Sequence, residues 1–145
     1  MTVQTRGPEP QNPTIPRWQP PLDAAGLNDL HGLLLRWAWT AQDSNDLLDE
    51  VARALDDVPP PEEEIEDFVE RHRGYLMRLV NIAVATRVWY RSVYADTLVQ
   101  RARVLRAVEM PGDHSQAVLH LRQMGWVAGE LVDQLVVLNS IKGAA

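Results

Sequence analysis

At 145 residues the chain has the size of one domain and is long enough to bury a core. A formal net charge of −6 sets it against phosphate backbones and anionic lipid, and the lack of cysteine excludes disulfides, thiol nucleophiles and thiolate metal sites. The N-terminus has no signal-peptide apolar region and no stretch approaches the ~18 uninterrupted apolar residues of a membrane span, so a cytoplasmic protein is expected. Arginine outnumbers lysine 13 to 1, a bias that GC-rich genomes produce.

Residues 1–21 hold six of the ten prolines and almost no periodic hydrophobicity. They predict a flexible tail, with Trp18 able to dock, ahead of a helical-bundle domain over 22–145. From Leu22 to Asp57 the apolar spacing is helical, through Leu27, Leu30, Leu34, Trp37, Ala38 and Ala41. The cluster "QDSND" (42–46) interrupts it. Asp43 or Ser44 is then the expected cap of a second segment carrying Leu47, Leu48, Val51, Ala54 and Leu55. Two helices, or one sharply kinked helix, end at the prolines of 59–61.

"PEEEIEDF" starts the next helix with carboxylates at the positive end of its dipole. Nothing stops it before "MPGD" (110–113), which predicts one very long central helix of roughly 70 Å at ~1.5 Å per residue. Gly74 is its one weak point, costing about 1 kcal/mol against alanine. The last helix opens with Asp113 and Gln116 at capping-box spacing and is expected to run to about Ile141, with Gly143 as its stop. No alternating strand pattern occurs. The expected fold is an all-α antiparallel bundle, the flanking blocks overlapping the middle of the long helix at 81–94.

The stretch "RHRGYLMRLV" (71–80) looks like a site and dissolves on a helical wheel. Ile65, Phe68, Leu76, Leu79, Ala83, Tyr90, Thr97 and Val108 share a stripe with His72 at its centre, while Arg71, Arg73 and Arg78 point away. His72 reads first as a neutral core imidazole; the alternative is a ligand-contacting or acid–base residue in an interhelical pocket. No catalytic constellation and no cofactor motif is found. A dimetal bundle needs Glu-x-x-His pairs, but Val69 precedes His72 and Ala117 precedes His120 at that spacing. His114 and His120 are six apart and cannot share one metal from one face, so no metal is expected. Gly125, Ala128 and Gly129 sit within a helix and read as a close-approach surface. The eight arginines of 62–109 scatter around the helix, which argues against nucleic acid as a partner.

Tryptophan is the remaining signal. Trp37, Trp39, Trp89 and Trp126 all fall in helical stretches, and the plain reading is an aromatic core layer. The alternative is a pocket for a small apolar or aromatic metabolite, which would draw on His72, Tyr90 and these tryptophans. Trp37 and Trp39 are two apart, so at least one lies off the core face and favours an interface. Trp89, Val99, Leu119, Trp126 and Val137 fall off the main stripes, which predicts a homodimer or another protein partner.

"PPPEEEIEDFVERHRGYLMRLVNIA" (59–83) and "RARVLRAVEMPGDHSQAVLHLRQMGWVAGELVDQLVVL" (101–138) resemble an actinobacterial family of small helical proteins of unknown function, commonly labelled natural-product biosynthesis proteins. That family tends to carry histidine after the glycine of the turn, where this chain has Tyr75, with His72 a little upstream. The resemblance implies an all-helical accessory protein of secondary metabolism and supplies no reaction. The leading expectation is a non-catalytic interaction protein, and the alternative a cofactor-free small enzyme or metabolite-binding protein.

Overall fold

The structure, a computed structural model, describes residues 21–145. The expected tail and its Trp18 lie outside the described residues. Within them 78% are helical and none is in a strand, so the all-α bundle stands.

α1 spans Ala24–Ala38 and starts where the Asp23 carboxylate accepts a hydrogen bond from the Gly26 amide at 2.7 Å. It stops at Trp39, which is extended at φ −72, ψ 116. α2 follows over Ala41–Leu55. The break therefore falls ahead of the expected 42–46 cluster, because Thr40 and Asp43 form a reciprocal capping box. The Asp43 carboxylate accepts from the Thr40 amide at 2.7 Å, and the Thr40 hydroxyl from the Asp43 amide at 3.2 Å. Asp43 thus sits in the first turn, and Ser44 is buried.

The expected single helix over 62–109 is divided. α3 spans Glu62–Ala85, α4 is the single turn Val88–Arg91, and α5 spans Val93–Ala107. Between α3 and α4, Arg87 is left-handed at φ 55, ψ 44, a conformation that costs roughly 1–2 kcal/mol for a residue with a Cβ. Local polar groups stabilise the turn. The Thr86 hydroxyl donates to the Ile82 carbonyl at 2.9 Å, and the Ser92 hydroxyl caps α5 by accepting from the Ala95 amide at 3.1 Å. The Arg91 guanidinium donates to the Thr86 and Leu138 carbonyls at 3.3 and 2.6 Å and to the Ser140 hydroxyl at 2.8 Å. Without glycine or proline at this turn, the helical pattern ran through it unmarked.

Consequently α5 returns alongside α3. Arg73 of α3 donates to the Val108 carbonyl just past the end of α5, at 2.7 Å. α6, over His114–Val137, is capped by Asp113 as expected and runs antiparallel to α5. Tyr94 donates to Glu130 at 2.7 Å, and Arg101 lies over the Trp126 ring at 5.6 Å. α1 and α2 form one bent rod antiparallel to α3, tied by Asp43–Arg78 and Glu50–Arg71 at 3.8 and 3.2 Å. Four rods in alternating directions result, with α3 and α6 parallel and in contact across the middle.

Two corrections follow from the fold-back. The core stripe of α3 holds for Ile65, Phe68, Leu76, Leu79 and Ala83, each at most 3% exposed, whereas Tyr90, Thr97 and Val108 are exposed because the turn resets the register. Segment 81–94 is then not a covered middle: its second half is the tip of a helical hairpin. α6 also ends at Val137 rather than Ile141. Asn139 takes the left-handed conformation at φ 57, a role asparagine fills well, and Gly143 stops nothing. The close-approach reading of the glycines does hold. A Cβ added to Gly125 would stand 3.0 Å from the Ala54 Cβ, and one at Gly129 3.3 Å from Val51.

Candidate functional site

The residues singled out from the sequence fall in five places. His72 and Tyr75 share one turn of α3. The His72 ring is fully buried, and Nδ1 lies 2.8 Å from the Phe68 carbonyl. A carbonyl can only accept, so the proton resides on Nδ1 and Nε2 carries a lone pair. Nε2 is buried without a protein partner and is directed at α6, 3.7 Å from where a Cβ on Gly125 would stand. Burial is the main force lowering the His72 pKa, partly opposed by the Phe68 bond and by Glu50. Tyr75 is half-buried with its ring edge-on to His72 at 6.5 Å, and burial followed by Glu50 raises its phenol.

Trp39 is the one tryptophan of the four that packs inside. At 1% exposure it closes the α1–α2 corner; its indole N–H donates to Ser44 at 2.8 Å, and Arg78 stacks over its ring at 4.7 Å. Trp37, two residues earlier, is 70% exposed and borders a cleft of about 600 Å³ with Arg36, Val136, Ile141 and Lys142.

Trp89 and Tyr90 lie together at the hairpin tip, edge-to-face at 6.0 Å. With Val93 and Tyr94 they form an apolar knuckle in which Tyr90 is 81% and Val93 84% exposed. Trp126 is half-exposed on α6 beneath Arg101. The expected aromatic core layer therefore does not form. Fold-back at Arg87 carries Trp89 and Tyr90 to the surface, and the corner at Trp39 turns its indole away from Trp37. Of the residues expected to face a partner, Val99 is instead buried at 4% exposure, while Leu119 and Val137 stay outside.

The pairs brought together are His72 with Tyr75 and Trp89 with Tyr90; no described cleft contains His72. Sequence reading missed the arginines that close helix ends from elsewhere in the chain. Arg122 donates to the Asp56 carbonyl after α2 at 2.9 Å, Arg73 to Val108 after α5, and Arg91 to Thr86 and Leu138. Their scatter around the wheel was the visible sign of this use. Among the described residues no group of three or more His, Asp or Glu is placed to hold a metal, and no helix is long and apolar enough to cross a membrane.

Residues 45–140 match a family of unknown function (DUF6415). The chain belongs to that family. The matched span covers α2, apart from its first turn, through α6; it includes His72, Tyr75, the knuckle and Trp126, and leaves α1 with Trp37 and Trp39 outside. No curated protein and no solved structure matches the chain.

Proposed function

We propose that this protein is a non-catalytic accessory protein that works in the cytoplasm by binding another protein, with the knuckle at 89–94 as the contact. The observation that carries this is the hairpin tip: Trp89, Tyr90, Val93 and Tyr94 are adjacent and exposed at a tight turn. Large aromatics clustered on a rigid support have the composition of an interface centre and are costly to leave in water. Three hydrogen bonds from Arg91 fix the turn, so little ordering entropy opposes docking. Arg36, Arg73, Arg91 and Arg122 are engaged with backbone carbonyls and Arg53, Arg71 and Arg78 with carboxylates, in keeping with a protein rather than nucleic acid as partner.

Following the resemblance described above, we infer that the partner is a protein of an actinobacterial natural-product pathway. The test is co-purification of the intact chain with proteins encoded beside it, compared with Tyr90→Ala and Val93→Asp. Loss of one defined partner from both variants, with unchanged melting, supports the reading. Identical partner sets for wild type and variants would sink it.

A metabolite-binding reading has one observation in its favour. The cleft beside Trp37 combines an exposed indole with Arg36 and Lys142, a set that suits a flat anionic ligand. Quenching of Trp37 fluorescence by such compounds, lost in Trp37→Leu, would favour it.

A further inference from the structure

α1 is apolar on two opposite faces. Gly32, Leu35 and Trp39 turn toward α3 and the core, with Gly32 so close to Asn81 and Ala85 that a Cβ would collide with both. Leu27, Leu30, Leu34 and Trp37 lie on the far side, 48%, 41%, 50% and 70% exposed. Their 3-4-3 spacing puts them at the a and d positions of a heptad, the narrow seam along which two helices pair. A helix apolar on both faces belongs between two neighbours, and the main neighbour of α1 among the described residues is α3.

We propose that the second neighbour is another copy of this chain, with the two α1 helices pairing antiparallel along this seam. The inference rests on reading the protein as an interaction protein and adds a second surface to it. The 3-4-3 spacing is a palindrome, so it reads identically from either end. An antiparallel pair sets Leu27 against Trp37 of the second copy and Leu30 against Leu34, then repeats the two contacts in reverse. That is the self-complementarity a two-fold axis requires. The flanking positions, Ala24, Gly26, His31, Leu33 and Ala38, carry no acid to concentrate the net negative charge at the seam.

Charge decides the direction. Asp23 and Asp29 lie toward the start of α1, while Arg36 and Lys142 lie together at the cleft by its end. Antiparallel pairing brings each acidic end to a basic end and opposes the two helix dipoles; parallel pairing would stack Asp29 on Asp29. Fifteen residues make a rod of only about 22 Å, short of the ~800 Å² per partner of a standard interface. The cleft supplies the extension, because Val136, exposed beside Trp37, stands where the second copy's α1 begins, at its exposed Leu22.

The test uses the intact chain in multi-angle light scattering. The expected mass is twice 16.4 kDa, reached at concentrations up to about 100 µM. Leu34→Glu, at an exposed position, should keep its helical spectrum and melting and shift to the single-chain mass. Because the chain has no cysteine, register can be read by mixing Leu30→Cys with Leu34→Cys: the mixture should form a disulfide-linked dimer that neither variant forms as efficiently alone. A single-chain mass for wild type overturns the pairing and points to segment 1–20 as the cover. A dimer that survives Leu34→Glu overturns this surface, and equal cross-linking of Leu30→Cys by itself overturns the antiparallel direction. None of these results touches the knuckle, which is read separately by partner loss in Tyr90→Ala.

Discussion

The indole N–H of Trp39 donates to the Ser44 hydroxyl at 2.8 Å, and that hydroxyl donates onward to the Lys142 carbonyl at 2.6 Å. One buried oxygen thereby joins the α1–α2 corner to the segment after α6. Ser44→Ala strands both an indole donor and a backbone acceptor. The expected cost is about 1–3 kcal/mol, seen as a fall in melting temperature together with a red shift in tryptophan emission as the corner admits water. Unchanged melting would mean the relay carries no stability.

His72 and His120 both have pKa values held below the ordinary 6.5, chiefly by burial. Near neutral pH both states leave these imidazoles uncharged and stability is complete. Below pH ~6.5 the unfolded chain takes up protons that the folded chain resists, so stability should fall as pH drops, by up to about 1.4 kcal/mol per pH unit for each group. His72→Leu should fold at pH 7.5 within about 1.5 kcal/mol of wild type and show a shallower acid slope in urea titrations at pH 7.5, 6 and 5. An equally steep slope would remove His72 as a source of it.

Glycine substitutions should split by location. At Gly74 nothing lies within 4 Å of an added Cβ, so Gly74→Ala should stabilise α3 by roughly 0.5–1 kcal/mol. Gly32→Ala meets the Asn81 carbonyl at 2.7 Å and the Ala85 side chain, and forcing α1 off α3 should cost about 1–3 kcal/mol. Denaturation midpoints of the two variants should move in opposite directions.

Arg91 serves three acceptors from two elements, a geometry that a lysine ammonium on one flexible stem does not reproduce. Arg91→Lys should raise amide exchange at Arg87 and at 138–141 while leaving the α3–α6 core protected. Exchange rising evenly across the molecule would show that the contact is part of the global core instead.

What was legible in the sequence depended on where the information lay. Period 3.6, the Asp113 cap and the core stripe from Ile65 to Ala83 are local, and each appears where expected. The fold-back is not local. Arg87 adopts a left-handed conformation without glycine, and the acceptor that steadies Arg91 is 47 residues away. Trp37 and Trp39 were correctly separated by their spacing of two, yet which one enters the core is settled by Ser44 and Lys142. The exposed set of Trp89, Tyr90, Val93 and Tyr94 resembles core in sequence because its apolar density matches a buried helix, and only the hairpin shows that it is a tip.

The relay through Ser44 also bears on how the chain comes to be folded. Its acceptor lies 98 residues downstream and the Asn139 carbonyl held by Arg36 lies 103 downstream. During synthesis the first bent rod emerges long before the segment that latches it, with Leu27, Leu30, Leu34 and Trp37 already in water. Long-range closure of this kind slows folding relative to a bundle with only neighbouring contacts, and it leaves α1 open to wrong associations in the interval.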